Sequence, residues 1–295
     1  MRAMYPDHAS TLDRDGVEIY YELYEREGQT IFLIPPSPIT HSRIYKAQIP
    51  YLARHYRVLT FDGRGSGRSG RPTGVDAHTR SENVADAIAV LDATGTRRAV
   101  LVAHCHANWW GLELAQAHPE RVVGWVAIDP GLPYIGTGHQ HWRDAGETWD
   151  EVLDDPQGWK LFNRHVISNE HRRWIEFFFS SQLVEPHSTK QYEDAVAWAL
   201  ESTGEILADS EVAQEVELPD RDEFLSTVSD LDIPVQVIHG DRDVCQHVSK
   251  GRDLADLTGG DLMEVVGGGH LVLARDPVRV NLAIKRFIDR RVVGA

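Results

Sequence analysis

The chain has 295 residues, 42% of them hydrophobic, and a formal net charge of −15 at neutral pH. That length suits one large domain, or a core carrying an insertion, with room for a sizeable buried core. The acidic balance argues against a nucleic-acid partner, whose phosphates demand Lys and Arg, and disfavours an anionic membrane surface.

In chain order, Val17–Leu23 alternates apolar and polar residues and predicts a half-buried antiparallel strand. Thr30–Ile34 is continuously apolar, stops at Pro35-Pro36 and predicts a buried strand. Arg43–His55 has helical spacing, and Tyr56–Phe61 predicts another buried strand. A glycine-rich stretch, Gly63–Gly70, precedes a helix from Ser81 to about Asp92 whose apolar face is Val84, Ile88 and Leu91, with Gly95 as a stop signal. A strand ending at Ala103, a helix over Trp109–Ala117 and a strand over Val122–Ile128 follow. From about Pro133 to Ser226 the pattern is helical and crowded with aromatics, among them Trp142, Trp159, Phe162, Trp174 and Phe178. Strand and helix alternate again in Ile233–Ile238, Ser249–Leu257, Leu262–Val266 and Pro277–Arg290. Such alternation predicts an α/β fold with a doubly wound, mostly parallel sheet. The core is expected over residues 1–132 and 227–295, with 133–226 as a helical insertion.

No apolar run approaches the roughly 20 residues that span a bilayer, so no membrane segment is expected. Met1–Asp7 lacks a hydrophobic signal region. Two cysteines, Cys105 and Cys245, do not make a disulfide framework, and a cytoplasmic location is the simplest expectation.

Ala103-His104-Cys105-His106-Ala107 joins a buried strand to a helix through a tight turn of small residues. Such a turn holds one side chain exposed above a sheet and is usually written G-x-S-x-G. Here cysteine replaces serine, and alanines replace both glycines. A thiol attacks only as thiolate, so Cys105 needs a helix N-terminus or a base nearby. His270, in Gly267-Gly268-Gly269-His270 after a strand, is the candidate base. His239-Gly240-Asp241-Arg242-Asp243 supplies two candidate acids. Asp243 is preferred because its place further into the loop lets it reach a histidine on the next loop and orient the imidazole. His104-Cys105-His106 is not expected to bind metal, since adjacent residues around a tight turn diverge. Gly65–Gly70 matches G-x-G-x-x-G, but no compact βαβ unit surrounds it, and a dinucleotide role is not expected. Arg64 and Arg68 are read as packing or charge-pairing groups. Cys245 is read as a passive neighbour of the acid in preference to a resolving thiol.

The segments Tyr56–Ser69, the Cys105 turn, His118–Val122, Gly240–Asp243 and Gly269-His270 together resemble the α/β-hydrolase-fold family over nearly the whole chain. The resemblance matches Asp243 and His270 to the family's acid and histidine, and the insertion to its helical cap. It implies an oxyanion hole built from the N–H of His106 and from the loop after the buried strand Thr30–Ile34. In Pro35-Pro36-Ser37-Pro38 only Ser37 has a backbone donor, since proline has none. Trp109, Trp110 and Trp142 are candidate pocket walls, although helical geometry disfavours both of the first two facing the site.

The expected function is hydrolysis of a carboxylic ester, thioester or lactone through an acyl-thioester on Cys105, with no cofactor and a small-molecule acyl substrate. Acyl transfer or cyclisation is the first alternative, because thioesters react readily with non-water nucleophiles. A weakly catalytic ligand-binding or signalling protein on the same fold is the second. A homodimer remains a possible assembly.

Overall fold

Thr30–Ile34 and Ala99–His104 are almost wholly apolar, and such runs are stable as strands when both faces are covered. In the computed structural model, which describes residues 3–186, 189–216 and 218–294, they lie at the centre of an eight-stranded sheet. The strands are β1 (His8–Arg14), β2 (Val17–Tyr24), β3 (Thr30–Ile34), β4 (Arg57–Phe61), β5 (Ala99–His104), β6 (Val122–Ile128), β7 (Val235–Gly240) and β8 (Asp261–Val265). Their spatial order is β1-β2-β4-β3-β5-β6-β7-β8. β2 pairs antiparallel with β1 and β4, and the remaining pairs are parallel. The expected doubly wound α/β architecture is the one observed.

Alternate residues of the central strands feed two apolar layers. Ile31, Leu33, Val100 and Val102 pack into one, together with Val280, Ile284 and Phe287 of the helix Pro277–Phe287. Phe32, Ile34, Leu101 and Ala103 pack into the other, with Val84 and Val90 of the helix Arg80–Ala93. Each such large side chain removed from water contributes about 1.5–3 kcal/mol, so the centre of the sheet is a rigid platform. The chain leaves β3 for β4 on one side and returns as β5 on the other. A crevice at such a reversal, beyond the carboxyl ends of the strands, is where open parallel sheets bind ligands.

Three elements depart from expectation. β1 was not anticipated, although Asp15-Gly16 marks a two-residue hairpin turn; both residues have positive φ, 53° and 84°, and Arg14 pairs with Val17. The helix expected over Arg43–His55 is instead a 3₁₀ turn, Ser42–Tyr45, and one α-turn, Ile49–Leu52. Pro50 is the reason: it cannot donate into a continuing helix but fits the first turn of a new one. A further short helix, Val272–Arg275, follows His270.

Between β6 and β7 the described residues are helical: Gln140–Gly146, Arg164–Asn169, His171–Gln182, Lys190–Ala199, Gly204–Val216 and Arg221–Ser229. Trp142 meets Phe162 edge to face at 4.7 Å, and Phe162 lies 5.4 Å from Trp174. The last of these helices turns Phe224 and Val228 towards the sheet-side layer that holds Trp109. Residues 187, 188 and 217 of the expected insertion, and 1, 2 and 295 of the expected core, lie outside the described residues.

The glycine-rich loop is anchored by charge. Arg64, 2% exposed, donates from Nε and Nη2 to the fully buried Asp86 at 2.8 and 2.9 Å, and from Nη1 to the Ala77 carbonyl at 2.7 Å. Glu82 pairs with Arg64 Nη1 at 2.6 Å and with Arg14, which also reaches Asp86. Removing Asp86 leaves two largely buried guanidiniums with Glu82 alone, which costs more than a surface ion pair is worth. Asp86→Ala is therefore expected to lower unfolding stability by about 3–5 kcal/mol, read as a shift of the urea midpoint. A loss below about 1 kcal/mol would place this cluster with ordinary surface pairs.

Candidate active site

At the end of β5 the backbone of Cys105 is left-handed, with φ 53°. A side-chain-bearing residue pays about 1–2 kcal/mol for that conformation, so its neighbours must hold it there. The Cys105 N–H donates to Ile128 O at 3.1 Å, and its carbonyl accepts from the N–H groups of Asn108 and Gly131, each at 3.1 Å. Asn108, fully buried, adds Nδ2 bonds of 3.0 Å to the carbonyls of both Cys105 and Ile128, and accepts from Trp125 Nε1 at 3.2 Å. The helix Ala107–Ala117 starts directly afterwards, so its N-terminus lies beside the sulfur.

β7 and β8 bring up the other two groups. His270 Nδ1 donates to Asp243 Oδ2 at 2.8 Å, leaving Nε2 as the ring nitrogen free for Cys105. The Asp243 Oδ1 atom accepts the N–H groups of Cys245 at 2.7 Å and Gln246 at 2.9 Å. The His270 N–H donates to Gln182 O at 3.2 Å, and its carbonyl accepts from His104 Nε2 at 2.9 Å. The helical segment between β6 and β7 therefore helps to fix this loop. Gly269 allows it: a Cβ there would stand 2.4 Å from Gln182 O.

The charges of these groups are coupled. The neighbouring Cys245 thiol is the largest influence on Cys105; it and the imidazoles of His106 and His270 overcome burial and hold the thiol well below its ordinary range. Burial alone would lower His270, but Asp243 and Cys105 outweigh it and raise His270 well above the usual imidazole range. Burial would raise Asp243, yet His270 and His239 pull it below the ordinary carboxylate range. Thiolate and imidazolium are the favoured pair.

Cys105 opens into a cavity of about 260 Å³. Its apolar wall includes Ile44, Trp142, Phe162, Trp174 and Phe178, and its polar groups include Thr40, His106, Glu211, Gln246 and Lys250. Burial pushes the Glu211 carboxyl up to about 7, against the pull of His106. Burial lowers Lys250, whose Nζ donates to Leu132 O at 2.7 Å. A wider groove of about 950 Å³ lies at the opposite ends of the strands, around Arg97, Arg121, Val122 and Pro234, and its lining carries no cysteine, serine or histidine.

The sequence expectations divide here. Cys105, His270, Asp243, His106 and Trp142 meet around one cavity or its supporting loop. Ser37 does not line that cavity: its N–H donates to Pro35 O at 2.9 Å, and it lines a neighbouring small cavity on the other side of His106, which borders both. The prolines that singled it out also fold the loop back on itself. Thr40 lines the Cys105 cavity, and its Oγ1 is buried with no hydrogen-bond partner among the described residues. Trp109 and Trp110 line the same separate cavity as Ser37. Trp109 packs under Arg80, 4.2 Å from its ring, and at 6.3 Å from Phe224. The helix begins with Ala107, which turns both indoles towards the sheet-side layer. Cys245 is closer to the chemistry than expected: its sulfur, that of Cys105 and a ring nitrogen of His270 all lie within 4.8 Å of one another.

That trio is the donor set best suited to a soft metal ion, although its three groups already serve one another. Two further groups, His104–Asp129–His270 and Asp129–His239–Asp243, lie beneath it. Asp129 accepts from the Gly240 N–H at 2.9 Å.

Comparison with known proteins places the chain among enzymes of this architecture. The sequence profile described as "Alpha/beta hydrolase family" matches residues 31–283. "Putative carbamate hydrolase RutD" of Caulobacter vibrioides is 24% identical over 279 residues, covering 92% of this chain and 95% of that protein. Among solved structures, a bromoperoxidase from Bacillus anthracis superposes with a TM-score of 0.79 at 20% identity, covering 96% of this chain and 100% of that one. The enol-lactonase from Burkholderia xenovorans superposes with a TM-score of 0.74 at 18% identity, covering 95% and 100%. At these identities the structural likeness concerns the fold.

A thiolate held by an imidazolium has a distinct pH signature. An ordinary thiol loses about tenfold in alkylation rate per pH unit below its pKa of about 8.5. Iodoacetamide should instead modify Cys105 at a nearly constant rate from about pH 8 to about pH 6, with slowing only in acid. Asp243→Asn removes the charge that keeps His270 protonated, so the midpoint should move upwards. Peptide mapping of the alkylated protein reads both; an ordinary tenfold-per-unit decline in the wild type would refute the pairing.

Proposed function

The chain belongs to the alpha/beta hydrolase family, and we propose that it hydrolyses a small carboxylic ester, thioester or lactone through Cys105. The observation that carries this reading is the left-handed turn that presents Cys105 above the sheet, with the His270–Asp243 pair at 2.8 Å beside it. The enol-lactonase among its structural neighbours supports the inclusion of lactones. We take the helices between β6 and β7 as a cap, because their Trp142, Phe162, Trp174 and Phe178 roof the cavity. A volume of about 260 Å³ falls below the usual range for drug-sized ligands, so the acyl group is small and apolar, aromatic or aliphatic.

In the proposed cycle the Cys105 thiolate attacks the substrate carbonyl carbon. The negative charge passes to the carbonyl oxygen, and the N–H of His106 and the hydroxyl of Thr40 receive it. His270, protonated at Nε2, gives its proton to the leaving oxygen or sulfur as the tetrahedral species collapses. The acyl group is then a thioester on Cys105. Water enters, His270 takes its proton, and a second collapse releases the carboxylic acid and regenerates the thiolate. Asp243 stays ionised throughout and holds the imidazole ring in one orientation. The neutral His104, lowered to about 4 by burial and by the charge of His270, keeps its Nε2 on the His270 carbonyl.

The direct test mixes the protein with a panel of activated acyl esters and thioesters and follows intact mass and product. An acyl adduct that maps to Cys105, disappears in Cys105→Ala and discharges into water is the expected result. An adduct stable in water but discharged by amines or thiols would replace hydrolysis by acyl transfer. No adduct from any substrate would remove the catalytic reading. Thr40→Val tests the oxyanion role: kcat should fall by about a hundredfold with KM little changed, while Ser37→Ala leaves kcat within a few-fold.

A further inference from the structure

Cys245 is not needed in the proposed cycle, yet it is buried against the reacting sulfur. We propose that Cys105 and Cys245 form a dithiol that hydrogen peroxide closes to a reducible disulfide, shutting the site reversibly. Both are free thiols and both line the Cys105 cavity. Their sulfurs lie within 4.8 Å, and a disulfide needs about 2.05 Å, so the atoms must approach by at most about 3 Å. Side-chain rotation and small adjustment of the Cys245 loop supply such a movement.

The chemistry follows from the two environments. Cys105, the thiolate of the pair, attacks one peroxide oxygen; the O–O bond breaks, the sulfur is oxidised to sulfenic acid, and the leaving hydroxide takes the Nε2 proton of the His270 imidazolium to become water. The Cys245 sulfur, losing its proton to the imidazole so freed, then attacks the Cys105 sulfur. The S–O bond breaks, hydroxide leaves and takes up that proton, and the disulfide remains. In sum, two thiols and one peroxide give one disulfide and two waters. Because Cys245 is already beside the sulfenic acid, condensation outruns a second oxidation.

Closure would disable the site in two ways. It removes the nucleophile, and it pulls on a loop whose other attachments are catalytic. The Cys245 N–H is bonded to Asp243 Oδ1, and its carbonyl accepts from Trp142 Nε1 at 2.9 Å. Drawing Cys245 towards Cys105 thus shifts both the triad acid and the roof of the cavity. Formation of the disulfide needs Cys105 as a thiolate and not as a catalyst, so it can be tested apart from hydrolysis.

The experiment exposes the full-length protein to a small excess of hydrogen peroxide and maps peptides without reductant. The expected result is a loss of two hydrogens, a peptide linking Cys105 to Cys245, and recovery of both thiols with dithiothreitol. Where ester hydrolysis is measurable, it is lost and regained in step. In Cys245→Ala the same treatment carries Cys105 to sulfinic acid, which dithiothreitol does not reverse. Sulfinic acid on Cys105 of the wild type without a linked peptide overturns the proposal, as does survival of both thiols. A linked peptide in a protein that hydrolyses no acyl substrate leaves the disulfide standing and removes only the hydrolase reading.

Discussion

The left-handed backbone at Cys105 is the constraint on which the site depends. Only a turn of that shape lifts the thiol clear of β5 while keeping the strand and the next helix continuous. Its cost of about 1–2 kcal/mol is offset by bonds that reach beyond the turn itself. The Ile128 carbonyl receives the Cys105 N–H only because β6 lies in register beside β5, where His104 pairs with Ile128. Asn108 then ties both carbonyls together from inside the helix. Gly131 completes the support: a Cβ there would meet Gln246 Nε2 at 3.1 Å and the Cys105 carbonyl carbon at 3.4 Å. The strained residue is therefore held by β6, by the helix that follows it and by the loop after β6, not by local preference.

Beneath this turn the buried titratable groups are arranged so that few of them are charged together. Asp243 keeps its negative charge because two backbone N–H groups and His270 donate to it. Asp129 sits close by, and burial together with the Asp243 charge raises it to about 8, so it is neutral at physiological pH. Two ionised carboxylates there would repel each other in a poorly solvated layer. His104, lowered to about 4, is likewise neutral and serves as a hydrogen-bond donor to the His270 loop. The ionised Asp243 and the Cys105–His270 pair thus stand above a layer in which Asp129 and His104 are neutral, while Asp243 and Asp129 raise His239 against the pull of burial. The electrostatics and the geometry select the same residues.

The parts of this arrangement that were legible in the sequence are those written in local pattern. Apolar runs identify the central strands, and the small residues around Cys105 identify the turn. Three consecutive glycines before His270 mark the sharp bend that the Gln182 carbonyl approaches. What escaped was decided across the fold. Pro35 and Pro36 left Ser37 as the only backbone donor of its tetrapeptide, but the loop bonds that N–H to the Pro35 carbonyl, and it is Thr40 that lines the Cys105 cavity. Trp109 and Trp110 follow the nucleophile in sequence, yet the helix rotates them to the far side. Nothing near Cys245 signals its partner, because their proximity comes from β6 lying between β5 and β7 with both loops leaning over it. Asn108 stands out as a polar residue at the start of an apolar helix, but its side-chain partners are Cys105 and, in β6, Trp125 and Ile128.

In the proposed cycle cysteine alters the energetics of both half-reactions. A serine in this turn would need its proton removed as it attacks; the surroundings of Cys105 and His270 favour the thiolate before attack. The low pKa makes the thiolate less nucleophilic, but with a Brønsted slope of about 0.4–0.5 the loss is smaller than the gain in thiolate fraction until the pKa falls below ambient pH. In deacylation the same stabilisation works in the forward direction, since a sulfur that bears negative charge comfortably is a better leaving group. Cys245, His106 and His270, which hold that charge on the free enzyme, therefore also ease departure of the acyl group. A site built only to store an acyl-thioester would gain nothing from such donors, because each one weakens the bond it needs to keep.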